Sequence, residues 1–207
     1  MLHCHILIPC KPLGEGKSRL AQLLSARQRH DLCASLLDRT LIVAKHLSRS
    51  DRIFLVTSDA EAAAQASGHG IAVIADGAHT LNGALTQGRD IIMRAGADNV
   101  DGLLILPTDL PFVDQAAILN AASASDVTLA CDHDRSGTNL LLLKGDAARD
   151  FTFSFGAGSF ERHCGIARRA GYSVTTVDNP TLAFDIDEPR HYLKAARLAN
   201  LQPMEAV

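Results

Sequence analysis

Three aspartates, a cationic glycine loop and a glycine–serine turn are the parts of this chain whose residue types and spacing can do chemistry. Asp109 lies in LPTDLP, between two prolines that fix the local backbone and leave its carboxylate at the end of an apolar run. Asp185 and Asp187, in FDIDEP, alternate around Ile186, so an extended segment turns both carboxylates the same way. Mg2+ takes a few carboxylates together with waters and phosphate oxygens, so one magnesium site could use Asp109, Asp185 and Asp187. Structural roles fit the same residues. Asp109 can close a turn onto nearby backbone, and Asp187 can cap a helix that has Pro189 in its first turn, leaving Asp185 as a solvated neighbour.

The loop of residues 6–20, ILIPCKPLGEGKSRL, follows a short apolar run. Gly14 and Gly16 allow sharp turning that points backbone N–H groups inward, while Lys11, Lys17 and Arg19 supply charge against a polyanion such as a nucleoside triphosphate. It is not a P-loop, because Lys11 stands where that motif needs its first glycine. A solvated basic loop is the competing account. In FGAGSFERH, Gly156 and Gly158 precede Ser159 at the start of a helix, where free N–H groups and a hydroxyl meet the positive helix end; this would hold a carboxylate or phosphate, or be a plain cap. SGTN, residues 136–139, offers a second polar approach or an ordinary turn. Asn82 in TLNGAL can meet a base or ribose, or cap its helix. His3 and His5 share a strand face with no third ligand and read as structural, and His79 and His133 as surface residues in loops.

Composition limits the partners. The 207 residues are 47% hydrophobic and 21% charged with net charge −3, which fits one globular domain over residues 1–207 and argues against nucleic-acid binding. Five scattered cysteines without a C-x-x-C pair indicate neither a disulfide framework nor zinc. With no signal peptide and no run near the length of a membrane span, a soluble cytoplasmic protein is expected. A homodimer is compatible with the sequence.

These residues must be positioned by alternating strands and helices. Ser25 and Gln28 form a capping box before a long amphipathic helix through Leu47; residues 52–57 form a strand; Ser58 and Glu61 form a second box opening a helix that Gly68 closes. Strand 71–75, helix 81–94 and the all-apolar strand 102–106 follow. Asp114 caps a helix to Ala124; 126–130 and 137–143 are strands, 159–170 a helix and 173–177 the last strand before a terminal helix opened by Asp187 and Pro189. The tail after Leu201 is expected to be disordered. Short apolar strands alternating with helices predict a Rossmann-like α/β fold with a mostly parallel sheet, ligands gathering outside the strands' carboxyl ends.

Read together, IPCKPLGEGKSRL, TSD, LNGAL, LPTDLP, GTN, FGAGSFERH and FDIDEP resemble, in order and context, the phospholactate guanylyltransferase family of coenzyme F420 biosynthesis. The resemblance runs from Ile6 to about His191 and implies a nucleotidyltransferase fold of the glycosyltransferase-A type. Members join GTP to 2-phospholactate, phosphoenolpyruvate or 3-phosphoglycerate and release pyrophosphate. It implies that Asp109, Asp185 and Asp187 bind magnesium, that Thr138, Gly156 and Ser159 contact the phospho-acid, and that residues 14–19 with Asn82 hold GTP. Lys17 and Asp109 would carry catalysis, with Lys17 stabilising the departing pyrophosphate. Ala157 stands where the family usually has proline, and residues 78–80, Ala-His-Thr, where glycine is expected before Asn82. Two other classes remain open: a nucleotidyltransferase for a sugar phosphate or molybdopterin-type acceptor, and a nucleotide-binding domain without catalysis.

Overall fold

In the computed structural model, which describes residues 2–96 and 101–198, the first strand, β1 (His5–Pro9), is the axis of the sheet. Its Ile6, Leu7 and Ile8 are fully buried, so both faces are covered and the strand reads as a continuous apolar run. Ile6 and Ile8 enter the core under α1 (Ala26–Leu47) and α2 (Ala60–Gly68), while Leu7 enters the core on the opposite face, beneath α3 (Leu81–Gly96).

The chain builds outward through β2 (Ile53–Thr57) and β3 (Ala72–Ala75), then crosses back to lay β4 (Gly102–Ile105) on the other side of β1. Helix α4 (Gln115–Ala121) leads to β5 (Val127–Cys131) and β6 (Thr138–Lys144), followed by α5 (Asp146–Asp150), α6 (Ser159–Arg169), β7 (Val174–Val177), α7 (Pro180–Ala183) and α8 (Pro189–Leu198). The spatial order is β3-β2-β1-β4-β6-β5-β7. Order reverses beside β1, so the loops leaving β1 and β4 flank the crevice where open α/β sheets take ligands.

Four strand pairings are parallel, and the two made by β6 are antiparallel. The reversal follows from the short 132–137 connection: only six residues separate β5 from β6, too few for the crossover a parallel pair needs. Locally the caps behave as the sequence predicts at Ser25, where the hydroxyl accepts from Gln28 N–H and the Gln28 amide returns a bond to Ser25 N–H, and at Asp114, which accepts from Ala117 N–H. At α2 the cap is Asp59, not Ser58. One Asp59 oxygen accepts from Glu61 and Ala62, and the other takes Leu13 N–H at 2.9 Å, so the carboxylate also anchors the loop after β1, which a hydroxyl could not do at once. Helix α4 ends at Ala121, short of the expected Ala124. The expectation for the tail after Leu201 lies outside the described residues.

Candidate active site

At the carboxyl ends of β1 and β4 lies an open cavity of about 700 Å³. Its walls come from the loop after β1, the 107–109 turn, the 132–139 hairpin, residues 155–159, and the segment carrying Asp185, Asp187 and Glu188.

The loop after β1 winds through two 3-10 turns, Leu13–Glu15 and Ser18–Gln22, and its unusual backbone falls on a residue the sequence did not single out for it. Neither Gly14 nor Gly16 has positive φ; Lys17 does, at 52°. Gly16 is required for another reason: a Cβ there would lie 2.5 Å from Cys33 Sγ. A non-glycine residue in the left-handed region costs about 1–3 kcal/mol and needs compensation. Lys17 receives it from two carboxylates, its Nζ donating to Asp109 Oδ2 at 3.1 Å and Asp187 Oδ1 at 3.0 Å. Lys11 and Arg19, by contrast, are exposed on the cavity wall and, among the described residues, their side chains form no salt bridge or hydrogen bond.

Asp109, Asp185 and Asp187 converge although the second stands 76 positions after the first in the chain. Each offers an oxygen, and these lie within 4.8 Å of one another. The tie is backbone: Ile186 N–H donates to Asp109 C=O at 3.0 Å, which lays the FDIDEP segment against the LPTDLP turn. Asp185 is buried and takes a 3.4 Å bond from the Asn139 amide. Burial, then the neighbouring Asp109 and Asp187 charges, push its carboxyl up to about 6. Burial opposes ionisation of Asp187 as well, but Lys17, helped by Arg19 and His191, brings it below the ordinary carboxylate value. For Lys17, desolvation is outweighed by Asp109 and Asp187, and the ammonium is held above its usual value. Three carboxylates share one ammonium, so the cluster is short of positive charge, and an all-oxygen set at this spacing fits a hard divalent cation.

His133 is exposed in its loop, as expected, and also borders the open cavity. Its Nδ1 lies 3.8 Å from Asp185 Oδ1, and its ring meets that of His191 edge-on at 4.5 Å. His191 in turn accepts N–H bonds from Asp187 and Glu188 at Nδ1, 3.3 and 3.4 Å, which fixes the loop carrying Asp187. The signal for His191 was present in the sequence as its place four residues after Asp187, one turn into a helix.

The third wall is a hydroxyl corner. Thr138, at the start of β6, and Ser159, opening α6, are buried and bonded to each other at 3.1 Å. Gly156 and Gly158 precede Ser159 with φ of 121° and 70°, which explains why two glycines are needed where one would serve a simple cap. Arg162 braces this turn through Ser154 and the Ala157 carbonyl. Asn82 braces it from the far side. Both ends of its amide are used by Phe155, donating to the carbonyl at 3.2 Å and accepting from the N–H at 2.7 Å, and it is not among the cavity-lining residues. Thr80, not Asn82, accepts the N–H of Gly83 at the start of α3. The cap expected of Asn82 is thus supplied by Thr80, and its amide instead shapes residues 155–158. Asn82→Ala should therefore raise KM for the ligand held at that turn about tenfold and change KM for the other substrate little, as steady-state kinetics with each varied in turn would record.

Residues 4–195 match the family described as guanylyl transferase CofC like. The chain is 37% identical over 204 residues to a phosphoenolpyruvate guanylyltransferase of Chloroflexus aggregans, covering 94% of this chain and 98% of that one. It is 32% identical over 186 residues to a 2-phospho-L-lactate guanylyltransferase of Methanothermobacter thermautotrophicus, covering 87% and 78%. Among solved structures, a 4-diphosphocytidyl-2C-methyl-D-erythritol synthase from Anaerococcus prevotii shares the fold at a TM-score of 0.61 and 12% identity, over 96% of this chain and all of that one. On the match over residues 4–195 and the identity to these relatives, this chain belongs to the CofC-like guanylyl transferase family.

Proposed function

We propose that this protein is a magnesium-dependent guanylyltransferase that moves GMP from GTP to a phosphorylated three-carbon acid, with phosphoenolpyruvate the first choice, and releases pyrophosphate. The observation that carries the reading is the convergence of Asp109, Asp185 and Asp187 beside a loop whose Lys11 and Arg19 are free to meet an anion. The relatives' names supply the choice of nucleotide and acid. Among the described residues no helix is long and apolar enough to cross a membrane, and all five cysteines are free, in keeping with a cytoplasmic site of action.

In this reading residues 14–19 with Lys11 hold the triphosphate, and Thr138, Gly156 and Ser159 receive the acid. Asp109, Asp185 and Asp187 would hold Mg2+, which when bound supplies charge neutralisation and alignment for the phosphate oxygens of both substrates. The acid's phosphate oxygen bonds to the α-phosphorus of GTP as the bond to pyrophosphate breaks. Lys17 faces the growing charge on the leaving group. The attacking phosphate is largely a dianion near neutral pH, so no side chain has to act as general base. The displacement needs no covalent intermediate.

The test is pyrophosphate release from GTP and Mg2+ with phosphoenolpyruvate, 2-phospholactate and 3-phosphoglycerate offered separately, and ATP and CTP as controls. Release with GTP and one acid is expected. Release only with a sugar phosphate or a pterin acceptor would move the protein to another nucleotidyltransferase class, and GTP binding without any release would make it a binding domain.

A further inference from the structure

His163 is wholly buried on α6 and its part in the site is not explained by packing alone. The Ser154 backbone N–H, a group that can only donate, points at His163 Nε2 from 2.9 Å, so Nε2 must carry a lone pair. Burial, and then Arg162, hold the imidazole down to about 4, so the ring is neutral at physiological pH and its single proton sits on Nδ1. Nδ1 lies 3.0 Å from Thr138 Oγ1 and therefore donates to it. Ser159 Oγ donates to the same oxygen at 3.1 Å. With both lone pairs of Thr138 Oγ1 occupied, the Thr138 hydroxyl can act only as a donor, and among the described residues nothing accepts its proton. Thr138 lines the cavity. Ser159 has spent its proton on Thr138 and offers only lone pairs, so of these two hydroxyls Thr138 is the one suited to an anionic oxygen.

We infer that His163 is a positioning residue that fixes the polarity of this chain of hydrogen bonds, from Ser154 N–H through the ring to Thr138, so that the Thr138 hydroxyl presents its proton to the bound phospho-acid. The inference rests on the proposed placement of the acid at Thr138 and Ser159. Preset polarity matters because a hydroxyl free to rotate would present a lone pair to an anion part of the time. One locked as donor meets the ligand already oriented.

Steady-state kinetics of Thr138→Val, His163→Phe, His163→Gln and the Thr138→Val/His163→Phe pair test this with phosphoenolpyruvate and GTP varied in turn. Phe matches the aromatic surroundings, since Phe151 and Phe155 ring centroids lie 5.6 and 4.7 Å from that of His163. Gln can accept from Ser154 N–H and donate to Thr138 through one amide. The expected result is a rise of about tenfold or more in KM for phosphoenolpyruvate in Thr138→Val and His163→Phe, little change in KM for GTP, and substantial recovery in His163→Gln. The double variant should be no worse than the single ones, because His163 acts through Thr138. If Thr138→Val raises KM for the acid and His163→Phe does not, or if the two effects add in full, the relay is overturned while the acid's placement stands. If Thr138→Val leaves that KM unchanged, the placement itself fails. Should His163→Phe not fold, side-chain nitrogen shifts in the unmutated protein decide: an Nδ1–H tautomer at His163 is expected, and an Nε2–H tautomer overturns the relay.

Discussion

Asp109→Asn should lower kcat/KM for pyrophosphate release by about 10³-fold or more, while the protein stays folded. The substitution keeps the shape of the side chain and leaves untouched the backbone carbonyl that accepts from Ile186 N–H, so the FDIDEP segment remains docked. What it removes is one of three charges gathered within 4.8 Å. A hard cation held by Asp185 and Asp187 alone would lose the ligand that the 107–109 turn supplies. Alignment of attacking and leaving oxygens depends on that position, and a loss of about 4 kcal/mol in transition-state stabilisation corresponds to the stated factor. The melting temperature should move by no more than roughly 3 °C, since the like-charge crowding around Asp185 is relieved as the Lys17 contact weakens. A variant that keeps a tenth of the activity would remove Asp109 from the proposed magnesium site.

Lys17→Met separates the two roles its ammonium holds. In the absence of metal Lys17 is the cation that neutralises Asp109 and Asp187, and its own side chain is only 11% exposed. Deleting it leaves clustered carboxylates unpaired. The cost should be about 2 kcal/mol, at the low end for a broken buried pair because Asp187 is about half exposed and water screens it. For a chain of this size that is roughly 4–8 °C in melting temperature. Millimolar Mg2+ should restore most of the loss, and should raise the melting temperature of the variant more than that of the unmutated protein, in which Lys17 competes with the metal for the same oxygens. Turnover should nevertheless stay down by about 10²-fold even with Mg2+ present, because among the described residues the other Lys and Arg side chains lining the cavity, Lys11 and Arg19, are exposed. Thermal melts with and without Mg2+, read beside pyrophosphate release, check both halves. Equal magnesium stabilisation of the two proteins would mean that Lys17 and the cation do not share the carboxylates.

The sequence by itself determined the alternation of strands and helices, the caps at Ser25 and Asp114, and the placement of the cationic glycine loop and the Asp109 turn at the ends of apolar runs. These depend on neighbours within a turn or two: periodicity, a hydroxyl three residues before an amide, a proline beside a carboxylate. Resemblance of the motifs to one family carried the expected reaction further than spacing could. Only the tertiary structure decided how distant residues are used. Strand order brings Asp109 beside Asp185 and Asp187 and closes Lys17 onto two of them. Asp59 displaced Ser58 as the cap of α2 because its second oxygen is taken by Leu13, 46 residues away. Asn82 found its partner in Phe155, and His163 gained its task from a Ser154 N–H and a Thr138 hydroxyl that lie beside it only once β6 and α6 have packed. A side chain's local preference is set within a few residues of sequence, but the partner that satisfies a buried donor or acceptor is chosen by the packing of elements far apart in the chain.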